Sequence, residues 1–180
     1  VKLGELNQSS EAEFVRVLGA IYEHSAWVAA RVAWCRPFTD VAALQSAMAK
    51  VVKDASAEEQ AGLIAAHPDL GGRLARAGAL APSSADEQAS LGLDRLTDEE
   101  FLAFEALNTS YTQRFGFPFI IAVKQHTRKS VLAAFEERLG NDATTERAAA
   151  LHQIDIIAAI RLHALLGGAD PGHAAGDKRS

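Results

Sequence analysis

Apolar residues recur at three- and four-residue steps along most of this chain, the spacing that gathers them on one face of an α-helix. The first run, Phe14, Val17, Leu18, Ile21, Tyr22 and Val28, follows the capping-box sequence Ser10-Glu11-Ala12-Glu13 and predicts one helix from there to just before Pro37. Asp40 or Thr39 caps the next, with Val41, Leu44, Met48, Val51 and Val52 as its apolar face. A third starts at Ser56-Ala57-Glu58-Glu59 and passes through Leu63 and Ile64 to end at His67, because Pro68 disfavours helical backbone in the residue before it. After a loop over 78–83, Ser84 and Glu87 stand at capping-box spacing and predict a helix opening there. Thr97-Asp98-Glu99-Glu100 opens another, with Phe101, Phe104, Asn108, Tyr111 and Phe115 on one stripe and Gly116 as its stop. Helices over 128–139 and 145–166 complete the series, ended by Gly140-Asn141 and Gly167-Gly168.

One stretch breaks the helical rhythm. Phe117-Pro118-Phe119-Ile120-Ile121-Ala122-Val123 is apolar throughout, short and marked by proline, so it reads as extended. A lone extended segment has no sheet to satisfy its N–H and C=O groups, which must bond to a loop, to water or to a ligand. The expected fold is therefore all-α: a single-domain multi-helix bundle over 10–167 with one short extended segment near 117–123. It is preceded by an N-terminal segment, 1–9, and followed by a disordered tail, 168–180, small and glycine-rich.

Composition narrows the classes. At 180 residues and 48% hydrophobic, the chain is long enough for a substantial core. A net charge of −5 without any Lys/Arg cluster argues against nucleic acid or an anionic membrane as partner. No apolar stretch approaches the roughly 20 residues of a membrane span, and the single cysteine, Cys35, excludes an internal disulfide. The expectation is a soluble cytoplasmic protein. No HExxH, CxxC, phosphate-binding loop or nucleophile elbow occurs, so neither a metal nor a nucleotide is expected.

Candidate chemistry concentrates between His67 and Gln88. His67 ends a helix and is aimed by Pro68, and an imidazole with an ordinary pKa of about 6.5 suits proton transfer near neutrality. Taken alone it is more often a structural histidine, and a capping box by itself accounts for Ser84 and Glu87. Arg161 shares a stripe with Leu151, Ile154, Ala158 and Leu165, where a guanidinium needs a carboxylate or a bound anion. Asp155 is about 240° away round the same helix, so the partner must come from elsewhere. Asn108 on its aromatic stripe needs a partner too, a loop carbonyl or a pocket. Arg73 and Arg76 read as a solvated helix face, and Trp27 and Trp34, one heptad apart, as packing anchors.

The succession HPDLG, SSADEQASLGL, LNTSYTQRFGFPFIIAV, RLGN and RLHALL, in this order over residues 10–167, resembles the OHCU (2-oxo-4-hydroxy-4-carboxy-5-ureidoimidazoline) decarboxylase family. The resemblance implies an all-helical homodimer that needs no cofactor and converts the product of hydroxyisourate hydrolysis into (S)-allantoin and carbon dioxide. It implies His67 as proton donor, with Glu87 and Arg161 as its catalytic companions. Pro68, the segment Ser84, Ala85, Asp86, Glu87 and Gln88, and the segment Phe119, Ile120, Ile121, Ala122 and Val123 match the substrate-contact positions. Lys124-Gln125-His126 departs from the Arg-Gly-like turn expected at the pocket rim. A non-catalytic helical module that holds a purine-derived ligand is the competing reading, and a ureido-compound hydrolase is weakened by the lack of metal-ligand spacing.

Overall fold

In a computed structural model, residues 1–167 are described, and they are all-α: ten α-helices and two 3-10 turns, with no strand among the described residues. The expected disordered tail lies outside the described residues. The described residues form two compact units, one from Val1–Leu63 together with 155–167, the other from Ile64–Ile154.

The first unit contains α1 (Leu3–Gln8), α2 (Glu11–Leu18), α3 (Trp27–Val32), α4 (Val41–Lys53) and most of α5 (Ala57–Ala65). The caps are those the sequence marks: Ser10 Oγ accepts from the Glu13 N–H at 3.2 Å and Asp40 Oδ1 from the Ala43 N–H at 2.7 Å. Phe14, Leu18, Val28, Val32, Leu44, Met48 and Val52 form its interior, with α3 packed on α2 and α4. A fully buried side chain of this size contributes about 1.5–3 kcal/mol.

The single helix expected from Ser10 to Pro37 is instead two, separated by residues 19–26. His24 adopts φ +47°, which no right-handed helix accommodates. Ile21 and Tyr22 are buried by that connection, so their helical spacing reflects a shared interior. Trp34 corrects a second expectation: it is 80% exposed and anchors nothing, whereas Trp27 carries the Arg31 guanidinium 4.6 Å above its ring.

The second unit holds α6 (Arg73–Arg76), α7 (Pro82–Ser90), α8 (Asp98–Phe115) and α9 (Arg128–Leu139) round Leu70, Leu93, Phe104, Tyr111, Phe119, Ile121, Val123, Val131 and Phe135. Phe119 stacks on Phe135 at 3.7 Å between ring centres, and Tyr111 meets both edge-on at 5.2 and 6.1 Å. Thr97 and Glu100 form the expected capping box of α8, which ends at Gly116 with φ +78°. Arg73 and Arg76 do lie on a short helix, bonded to Glu105 and Asp98 of α8.

The helix expected to open at Ser84 opens earlier. Pro82 takes its first position, where a fixed φ and a missing N–H cost nothing, and Ala81 precedes it without a side-chain cap. Ser84 is thereby carried into the first turn, and the capping-box reading of Ser84 and Glu87 fails.

The last helix, α10 (Ala143–Leu166), supplies its first half to the second unit and its second half to the first. By length and composition it matches a membrane-crossing helix, contrary to the sequence reading, with a mean hydropathy of 1.4 over its most apolar window. It also carries Glu146 and Arg161, both buried in ion pairs, as befits a core helix.

Candidate active site

In the second unit, α5 runs out just before His67, whose N–H donates to the Ile64 carbonyl at 3.2 Å. The residue is 8% exposed. Pro68 then releases the chain into the turn Asp69-Leu70-Gly71-Gly72, where Gly71 has φ +58°. A Cβ on Gly71 would come within 2.8 Å of Leu96 Cδ1 and 3.3 Å of Phe104 Cγ, so glycine is required by conformation and by space.

Helix α7 faces this turn through Gln88. Its Oε1 accepts from the Gly71 N–H at 2.9 Å and its Nε2 donates to the Asp69 carbonyl at 3.1 Å. Ser84, Glu87 and Gln88 are all buried, as steps of three and four on one helical face require, while Ala85 is partly covered and Asp86 points to solvent. Asn108 of α8 donates to the Leu70 carbonyl at 2.8 Å, which is the loop-carbonyl partner foreseen for it; its Oδ1 is buried without a hydrogen bond.

Phe119, Ile120, Ile121, Ala122 and Val123 are every one buried, and α7 packs on the 3-10 turn Val123–Gln125 that continues them. Two of their backbone groups have side-chain partners. The Ala122 N–H donates to Gln153 Oε1 at 2.9 Å, and the Ile120 carbonyl accepts from Arg138 Nη1 at 2.6 Å. The Ala122 N–H is thus already committed within the protein. Arg138 also lies 4.5 Å above the Phe119 ring and pairs with Glu146, a carboxylate with no exposure that further accepts from Tyr111 Oη and from Asn141 Nδ2 at 2.8 Å.

Burial pushes the Tyr111 hydroxyl well above the ordinary phenol range, and its bond to Glu146 adds to this. His126, beside the segment, is pushed down by burial and has Nδ1 3.0 Å from Ser130 Oγ. The network of Tyr111, Arg138, Glu146 and Gln153 was invisible in the sequence. Arg138 lies inside RLGN, but nothing about Glu146, in the first turn of a helix, distinguishes it from an ordinary dipole-favoured carboxylate.

Arg161 belongs to the first unit. Its Nη1 lies 2.8 Å from Glu23 Oε2 and 3.4 Å from the Ile21 carbonyl, and both charged side chains are buried. The partner did come from elsewhere in the chain, from the connection between α2 and α3.

The second unit also has an open cleft of about 430 Å³, lined in part by Asp69, Arg73, Glu105, Asn108 and Thr112. Its lining includes neither His67 nor Ser84 nor Glu87. The chemistry-bearing face of α7 and this cleft are therefore separate features that share the turn at Asp69. Among the described residues no three His, Cys, Asp or Glu side chains come together as a metal site would require.

In chemical terms the second unit contains a buried imidazole just past a helix end, a buried carboxylate on α7, and a buried apolar segment of which two backbone groups are bonded to side chains. That combination suits a small polar molecule that must be held out of water while a proton moves.

Comparison with known proteins identifies the family. The OHCU decarboxylase family model matches residues 7–163. A 2-oxo-4-hydroxy-4-carboxy-5-ureidoimidazoline decarboxylase of Haloferax volcanii is 44% identical over 160 residues, which cover 89% of this chain and 93% of that one. Its counterpart in Halalkalicoccus jeotgali is 42% identical over 161 residues, 89% of each chain. The crystal structure of an (S)-allantoin synthase superposes with a TM-score of 0.74 at 32% identity, covering 92% of this chain and 54% of the other. Matched over nearly its whole described length, the chain belongs to the OHCU decarboxylase family.

Proposed function

We propose that this protein decarboxylates 2-oxo-4-hydroxy-4-carboxy-5-ureidoimidazoline to (S)-allantoin, with His67 as the proton donor. The observation that carries the reading is the direct tie between the turn that follows His67 and α7, through both amide atoms of Gln88, which brings the imidazole and the Ser84/Glu87 face onto neighbouring elements.

The substrate's departing carboxylate sits on a carbon next to a C=N bond. As the C–C bond breaks, carbon dioxide leaves and the electron pair passes into that C=N system, so the substrate carries its own electron sink. Glu87 accepts from a hydroxyl or ring N–H of the substrate, and Pro68, Ser84 and 119–123 wall the ring. His67 then delivers its proton to one face of the carbanion-like intermediate, which makes one enantiomer. Proton transfer from a positioned group is typically worth about 10²–10⁴ in rate. No cofactor enters this scheme. A cytoplasmic homodimer is the form the family resemblance supports, and light scattering on the purified chain reads the assembly.

The test follows allantoin by circular dichroism while urate oxidase and hydroxyisourate hydrolase generate the substrate. The expected result is a fast, optically active signal that His67→Ala abolishes. Slow racemic decay with the unaltered protein present would sink the enzyme reading and leave the ligand-holding module in its place.

A further inference from the structure

We propose that Gln88 and Asn108 are positioning residues that act through the turn behind His67. The proposal rests on His67 being the proton donor.

Residues Asp69, Leu70 and Gly71 follow His67-Pro68 without a gap, and this stretch belongs to no helix or strand. Its backbone polar groups therefore lack the ladder of bonds that regular structure supplies. Three of them are satisfied by two buried side-chain amides: the Asp69 carbonyl and Gly71 N–H by Gln88, the Leu70 carbonyl by Asn108. Gln88 comes from α7 and Asn108 from α8, so the turn is gripped from two elements at three consecutive residues.

A primary amide suits this task because it offers a donor and an acceptor on one rigid plane. Gln88 uses one of each on backbone groups two residues apart, which fixes the turn's orientation as well as its distance. Since both ends of the amide are engaged there, Gln88 influences the reaction through the imidazole's placement. A displacement of about 1 Å in such a group can cost on the order of 10²-fold in rate.

The experiment compares kcat, KM and enantiomeric excess for Gln88→Leu, Gln88→Glu and His67→Ala, and for Gln88→Leu combined with His67→Ala. Gln88→Leu is expected to lower kcat by roughly 10- to 100-fold and to erode enantiomeric excess, with KM within about twofold. Added to His67→Ala it should cost nothing more, because its effect passes through the missing imidazole.

Gln88→Glu keeps the shape and guards against a variant that fails to fold. Protonated, its carboxyl reproduces both bonds; ionised, it has acceptors only and confronts the Asp69 carbonyl. Burial and the facing Asp69 carbonyl push that carboxyl above the ordinary carboxylate range, so its kcat relative to the unaltered protein should climb as pH is lowered from 9. A pH-independent ratio, a rise in KM at unchanged kcat, or a full additional loss in the double variant would overturn the proposal. If His67→Ala alone keeps its rate and stereochemistry, the proton-donor reading fails and the positioning role falls with it; a defective His67→Ala with an additive Gln88→Leu condemns the positioning role alone.

Discussion

Glu23 Oε2 lies 2.8 Å from Arg161 Nη1, and the two side chains are only 3% and 8% exposed as residues. A charge pair withdrawn from water in this way contributes little net stability, yet either member alone is expensive, because the survivor keeps its desolvation penalty and loses its counter-charge. Glu23→Ala should therefore cost about 3–5 kcal/mol. Replacing both, Glu23→Leu with Arg161→Met, should recover most of that loss while abolishing activity if Arg161 orients the substrate. Urea melts of the single and double variants check the first statement and turnover checks the second; a double variant no more stable than the single would contradict the pairing argument.

Gly71→Ala tests the turn itself. At φ +58° any side chain is strained, and here the methyl also meets Leu96 and Phe104. A loss of about 1–3 kcal/mol is expected from the backbone alone. Because His67 is four residues upstream, activity should fall further than stability does. Thermal melts paired with turnover separate the two, and a variant with unaltered melting and unaltered rate would show that the turn tolerates a Cβ.

The two tyrosines give a pH prediction with a definite sign. Burial and an adjacent carboxylate, Asp155 for Tyr22 and Glu146 for Tyr111, push both hydroxyls above the ordinary phenol range. A phenol whose folded pKa exceeds its unfolded value of about 10 contributes stability that is fully present below pH 10 and is lost as pH rises from there. No tyrosinate absorbance should appear while the protein stays folded, and its onset should coincide with loss of helical circular dichroism. Tyr111→Phe should remove one of the two signals and cost about 1.5–3 kcal/mol, the range for a hydrogen bond to a charged group.

The helices were legible because their signals are local. Ser10, Asp40, Ser56 and Thr97 each cap where spacing to an acidic or apolar residue places them. The errors arise where one pattern serves two physical ends. Ile21 and Tyr22 keep helical spacing in a stretch that is not helix, and Ser84 with Glu87 keeps capping-box spacing inside a helix that Pro82 has already begun. Of the candidate residues, His67 and Arg161 could be singled out because an imidazole before proline and a guanidinium on an apolar stripe are local anomalies. The long-range pairings could not: Glu23 is 138 residues from Arg161, Gln153 is 31 from Ala122, and Asn108 is 38 from Leu70. Nothing in local spacing encodes a pairing made only when distant segments meet.

The placement of the indole rings bears on how folding can be watched. Both tryptophans, Trp27 and Trp34, belong to the first unit, and the second has none. Trp34 is largely in water and Trp27 lies beneath a guanidinium, so the intrinsic emission arises from groups of the first unit. A fluorescence denaturation curve therefore monitors one half of the molecule, and an optical report from the half that bears the imidazole requires an indole introduced there.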